Sequence, residues 1–406
     1  MQIVQLEEVV IELIKSVDFN EAPSREQTNA EKYTLRKKLF GSDDVLPMWV
    51  ADMDIQTPFF VMDAIGDRLK HPVLGYEEIP NSLFQAQIEW IQKRHGYSVQ
   101  REWMFYSPSV VASINLCIKA FSEPGDKVIV QPPVYFPFYS SVTNNDRVLI
   151  KNTLVENEGR YRMDLDALES SIDEKTKLFL LCSPHNPVGR VWSREELTRL
   201  GEICIRHDIV ILADEIHSDL IFKGSKHTPL ASISKELENR TITCYGPGKT
   251  FNMAGLSIST VCVPNEELRK QFKKVYKSIH FAEGTVLGHV GFEAAYTKGE
   301  AWLDELLAHI QGNIDYLDIC LKEYMPSIRM LKPEGTYLVW LDCRGLGLSE
   351  KDLHAFFIEE AKLGLSSGSS FGKEGEGFMR INLATPRSTV EEAVSRLHAA
   401  YEERRF

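Results

Sequence analysis

Apolar residues fall along this chain in two rhythms. Between about residues 105 and 265, short and nearly continuous apolar runs recur: "KVIVQ" from Lys127, "KLFLLC" from Lys177, "DIVILAD" from Asp208, "TITCYG" from Thr241 and "STVCV" from Ser259. Runs this short, without polar alternation, predict strands buried on both faces. Longer stretches of helical period lie between them. One is "VVASINLCIKAF" from Val110; another is "SREELTRLGEICIRHD", which opens with a Ser193-x-x-Glu196 capping box. The alternation predicts an α/β fold with a mostly parallel sheet covered on both sides. Ligands of such sheets sit beyond the carboxyl ends of the strands, so functional residues are expected directly after the apolar runs.

Beyond about residue 285 the rhythm changes. A long helical pattern, "EAWLDELLAHIQGNIDYLDICLKEY", leads to the strand-like "TYLVWLDC" and "GFMRINLA" and a closing helix, "TVEEAVSRLHAAYEERR". These predict a smaller α+β domain. The expected division is a large domain over 46–285 and a small domain made of 1–45 with 286–406. The first forty or so residues read as irregular after an opening helix.

With 406 residues and 43% hydrophobic content, the chain can bury a core large enough for more than one lobe. Its formal charge of -12 repels phosphate backbones and argues against nucleic acid as a partner. Seven dispersed cysteines with no C-x-x-C pair read as reduced thiols of a cytoplasmic protein. Acids interrupt the apolar pattern of "MQIVQLEEVVIELIKSV", which argues against a signal peptide. No apolar run approaches the length of a membrane span.

Four features stand where the crevice is expected. Asp214 ends "DIVILAD", Asn186 follows a strand in "LLCSPHNPVG", and Lys249 follows "TITCYG". The turn "YSPSVV" precedes the helix beginning near Val110, whose first amides suit an anion. Each has an ordinary reading alone: a solvated lysine, a helix-capping acid, an asparagine in a turn. The string around Lys249, "CYGPGKTFNMAGL", is also not a nucleotide phosphate loop, because Thr243 stands where that motif needs glycine. Together, an amine, a carboxylate, a carboxamide and an anion-binding helix start meet the needs of one cofactor, pyridoxal 5'-phosphate. Neither a His-Glu-x-x-His string nor clustered Cys and His points to a metal.

The chain resembles the pyridoxal-phosphate enzymes of the aspartate-aminotransferase superfamily (fold type I). Within it, the resemblance is greatest to the aminotransferase-like carbon–sulfur β-lyases. It is carried by "LPMWVADMDIQTP", "GYEEIP", "EPGDKVIVQPPVYFPF", "SPHNPVGRVW", "ADEIHSDL", "KTFNMAGL", "PEGTYLVWLD" and "MRINLATPR", in that order over almost the whole chain. It implies that Lys249 anchors the cofactor aldehyde and then moves the substrate α-proton. Asp214 partners the ring nitrogen, Asn186 donates to the phenolic oxygen with His217 near it, and Tyr135 stacks on the ring. Ser109, Val110 and Val111 hold the phosphate. Arg380 grips the substrate carboxylate, and Tyr76 reaches the phosphate of a neighbouring site in a homodimer.

The sequence departs from that pattern around the phosphate. Gly246 and Gly248 replace hydroxyl residues before the lysine, Ser257 replaces a polar reinforcement after it, and the turn reads Pro108-Ser109-Val110-Val111. Backbone amides, Ser109 and Tyr76 are therefore expected to carry more of the phosphate. The implied reaction is α,β-elimination from an S-substituted cysteine such as cystathionine, giving thiol, pyruvate and ammonia. Transamination is the alternative enzymatic reading. A cofactor-binding regulator acting through protein contacts is the non-enzymatic one.

Overall fold

A computed structural model describes residues 18–280 and 284–406. The expected opening helix lies outside them. Seven strands form the main sheet: β1 (Met104–Ser107), β2 (Lys127–Val130), β3 (Val148–Lys151), β4 (Thr176–Cys182), β5 (Val210–Asp214), β6 (Thr241–Tyr245) and β7 (Ser259–Cys262). Their spatial order is β1-β7-β6-β5-β4-β2-β3. Strands β2 to β6 run parallel, whereas β7 is antiparallel to both its neighbours. Helices α1 (Phe59–Leu69) and α2 (Asn81–His95) precede β1 in the chain. The mostly parallel sheet expected from the apolar runs is what the chain forms.

The continuity of those runs has a simple cause. Within β4, Leu178 and Leu180 pack into one core cluster with Ile114 and Ile118 of α3 (Val110–Phe121). Phe179 and Leu181 face the other way, onto Leu197 and Leu200 of α4 (Arg194–Arg206). Successive side chains alternate sides, so two covered faces require an apolar residue at every position. The expected capping box holds α4: Ser193 Oγ accepts from the Glu196 amide at 3.1 Å, and the Glu196 carboxylate accepts from the Ser193 amide at 2.8 Å. Together they satisfy amides that a helix start leaves unpaired.

A second, antiparallel sheet comprises β8 (Arg329–Leu331), β9 (Leu338–Asp342), β10 (Ser366–Ser367) and β11 (Phe378–Asn382), in the order β8-β9-β11-β10. The long helix α5 (Glu300–Tyr324) and the last helix α6 (Arg387–Arg404) pack against each other beside it. Leu46–Pro47 pairs in parallel with Leu363–Gly364, and the Phe19 ring lies against Trp302 and His309. The segment from Trp49 to Asp54 then crosses to the carboxyl edge of the main sheet. It is pinned there by Lys32, a nearly fully buried lysine whose ammonium lies 3.0 Å from Asp52 and 2.8 Å from Asp54. Asn252 fixes the same segment by accepting from the Met53 amide and donating to the Met53 and Ile55 carbonyls.

Candidate active site

Asp214 is the last residue of β5, while Asn186 and Lys249 lie in the turns that follow β4 and β6. All three open onto one cavity of about 360 Å³, together with Tyr135, His217 and Arg380. Ser109, Val110 and Val111 close one side of it. Tyr76 does not: it projects fully into solvent from a loop whose neighbours Val73 and Leu74 are exposed as well.

The Lys249 amine donates to the Ala51 carbonyl at 2.6 Å, and the Tyr337 hydroxyl donates to the same oxygen at 3.0 Å. Desolvation and the nearby Arg380 pull the amine down to about 8, against the opposing pull of Asp52 and Asp214. The Asp214 carboxylate is buried and, among the described residues, accepts one hydrogen bond, from the Ile216 amide at 3.1 Å. Burial drives its carboxyl up to about 7 despite that bond and Lys249. A buried carboxylate so poorly paired is poised for a cationic partner.

Arg380 is the mirror image. It donates to the Asn186 side-chain oxygen at 3.0 Å, the Trp49 carbonyl at 2.7 Å and the Ser366 hydroxyl at 3.2 Å. Among the described residues its Nε has no partner and no carboxylate forms an ion pair with it. Burial lowers its pKa to about 10, so it remains a cation at neutral pH. Because Asn186 spends its oxygen on Arg380, its NH2 group remains as a donor. His217 is held neutral, with burial pulling it down to about 3, and its Nδ1 has no partner. Its ring meets Tyr337 edge to face at 6.1 Å.

At the start of α3, Ser109 caps the helix by accepting from the Ala112 amide at 3.1 Å. The Val110 and Val111 amides belong to the first turn, which has no intrahelical acceptors. Opposite them stands Ser259, whose hydroxyl donates to the Ser107 carbonyl at 3.0 Å. A Cβ at Gly246 would come within 3.1 Å of Ser259 Cβ and 3.0 Å of the Ile216 side chain, so a serine there would require these neighbours to give by a few tenths of an ångström. No such pressure acts at Gly248, where the nearest atom would be Ala254 Cα at 3.4 Å. Ser257 adopts a left-handed conformation, φ 50°, and its carbonyl accepts from Tyr106.

Behind the cavity, Asp219 accepts from Trp90 at 2.9 Å and Thr250 at 3.0 Å, and pairs with His95 at 3.0 Å. Thr250 follows Lys249, so this buried cluster braces the turn that carries the amine. Sequence reasoning missed Asp219, Ser259, Ser366, Tyr337 and the Trp49 and Ala51 carbonyls. Most lie inside motifs that carried the resemblance, but a backbone carbonyl has no signature in residue type.

Among the described residues no cluster of three His, Cys, Asp or Glu could hold a metal, and no helix is long and apolar enough to cross a membrane.

The family model for aminotransferase class I and II matches residues 50–397. The chain belongs to that family, and the resemblance read from its motifs is confirmed. It is 40% identical over 385 residues to the cystathionine β-lyase PatB of Bacillus subtilis, covering 95% of this chain and 100% of that one. Among solved structures, a PLP-bound putative aminotransferase from Clostridium difficile superposes with a TM-score of 0.93 at 43% identity, covering 95% of this chain and 100% of that chain. Cystalysin from Treponema denticola, which contains pyridoxal 5'-phosphate, superposes with a TM-score of 0.92 at 35% identity, covering 95% and 99%.

Proposed function

We propose that this protein is a pyridoxal-phosphate-dependent carbon–sulfur β-lyase, acting on cystathionine or a related S-substituted cysteine to release thiol, pyruvate and ammonia. The observation that carries the reading is the convergence of three mismatched charges on one cavity: a depressed amine, an underpaired buried carboxylate and a guanidinium without a carboxylate. Each lacks a partner that the cofactor or an amino acid supplies. Kinship at 40% identity to a cystathionine β-lyase supports the choice of reaction.

The donor set fits the cofactor. Lys249 anchors it, Asp214 holds a proton on its ring nitrogen, and the Asn186 amide donates to its phenolic oxygen with neutral His217 beside it. Tyr135 covers the ring, while the first amides of α3 and the Ser109 hydroxyl take the phosphate. When bound, pyridoxal phosphate supplies an aldehyde for amines and a protonated ring that accepts the electron pair left at Cα. Arg380 orients the substrate through its carboxylate in a two-pronged contact. Lys249 would take the Cα proton and hold it at Nζ. The Cα electron pair forms a Cα=Cβ double bond as the Cβ–sulfur bond breaks, the thiolate leaving with the pair of the broken bond. Water then replaces the nitrogen at Cα, giving pyruvate and ammonia. Tyr76, exposed here with an apolar loop around it, completes the phosphate site of a second copy in a homodimer. The division into domains 46–285 and 1–45 with 286–406 belongs to this reading, with the cavity between the two.

Supplying cystathionine or an S-alkyl cysteine without any oxo acid tests the reaction. Equal yields of thiol and pyruvate are expected; amino-group transfer to an added oxo acid without thiol would instead establish transamination. Replacing Arg380 by lysine keeps the charge but loses the fork. It is expected to lower kcat/KM by roughly 100-fold, mostly through KM, as for truncation of a buried charge contact worth about 2–5 kcal/mol. Steady-state kinetics with S-methyl cysteine provide the measurement.

A further inference from the structure

Glu31, Trp49 and Phe136 line the mouth of the cavity. Glu31 is exposed, and among the described residues it forms no ion pair with any base. Burial and then Asp214 raise the phenol of Tyr135, against Arg380, and Glu31 adds a smaller contribution in the same direction. Its position is fixed rather than free. The next residue, Lys32, is locked into Asp52 and Asp54, and the Lys32 carbonyl accepts from the Trp49 indole N–H at 3.2 Å. Glu31 and Trp49 are thus held at one rim, while Phe136 packs its ring on Tyr135 at 5.2 Å between centroids.

A single unpaired carboxylate beside aromatic residues is chemistry that recognises an ammonium group. It also repels a substrate whose side chain carries a carboxylate with no amine beside it. Resting on the lyase reading, we propose that the mouth is a subsite for a positively charged amine at the far end of the sulfur substituent. Glu31 is its counter-charge, Trp49 and Phe136 its aromatic walls. The favoured substrate class is then a cysteine thioether with an amino-bearing tail; acidic tails are disfavoured.

Three substrates of similar length separate the charges: S-(2-aminoethyl)-cysteine, S-propyl-cysteine and S-carboxymethyl-cysteine. Thiol release by the cofactor-loaded enzyme is measured with each. The quantity read is kcat/KM for the aminoethyl substrate divided by that for the propyl substrate. Glu31→Gln is expected to lower this ratio about fivefold, the size of a partly screened ion pair, and Glu31→Lys to lower it further while favouring the carboxymethyl substrate. A ratio that stays within twofold of the unmodified enzyme's in both variants overturns the subsite alone. If the unmodified enzyme releases thiol from none of the three and none from cystathionine, the elimination reading falls and the subsite with it. Release from cystathionine alone overturns only the subsite.

Discussion

Replacement of Lys249 by alanine is expected to lower kcat/KM for thiol release by at least about 10⁴-fold, the upper end of what one proton-transfer group contributes. Two roles are lost in one substitution: the anchor for the aldehyde and the base for the Cα proton. The environment prepares the amine for both. Desolvation and Arg380 bring it to about 8, so near neutral pH a useful fraction is uncharged and nucleophilic, where a free lysine would be almost wholly protonated. Its hydrogen bond to the Ala51 carbonyl holds it in the cavity without neutralising it. Arginine at this position should be as inactive as alanine, because a guanidinium keeps its proton. Added small amines such as ethylamine should restore part of the alanine variant's rate, since the vacated volume admits a replacement base. Thiol release followed with a chromogenic disulfide is the measurement, and a loss below tenfold would remove Lys249 from the chemistry.

Much of this site can be read from residue type and spacing. Asp214, Asn186 and Lys249 are legible as a set because all three follow buried strands with complementary chemistry, although each alone reads as an ordinary cap, turn or surface residue. The direction of β7 does not announce itself. Its residues pack on both faces, and a run of buried apolar residues reads the same whether its neighbours are parallel or antiparallel. The contacts that shape the site across the chain are equally silent. Arg380 is held by a carbonyl 331 positions away, and Lys249 by one 198 positions away. Such bonds depend on the path of the Trp49–Asp54 segment, fixed in turn by the buried Lys32 pairs. Lysine is rarely buried without acids to receive it. The pattern "EKYT" gives no hint that its second residue, not its first, turns inward.

Asp214→Asn is expected to show opposite effects on function and stability. In the loaded enzyme, the carboxylate faces a ring nitrogen whose proton makes the ring an effective electron acceptor. Asparagine cannot stabilise that positive charge. Breaking a buried pair in this way costs about 3–5 kcal/mol, equivalent to a fall in kcat of roughly 10²- to 10⁴-fold. Without cofactor the same carboxylate is a liability. Its folded-state pKa is raised to about 7 from an ordinary value of 3.8. Between these values the folded chain binds a proton that the unfolded chain has lost, so stability declines as pH rises through that window, with the full cost present above pH 7. Asparagine has no such cost. Thermal melts of the cofactor-free proteins should therefore coincide near pH 4 and diverge towards pH 7, the variant melting higher by an amount on the order of 3 kcal/mol in stability. An Asp214→Asn variant that loses stability at pH 7 and keeps its kcat at saturating cofactor would mean that the acid serves the fold and not the ring. Asp214→Glu, which retains the charge on a longer arm, should recover part of the rate and little of the stability gain, because it brings an ionisable group back to the same dry position.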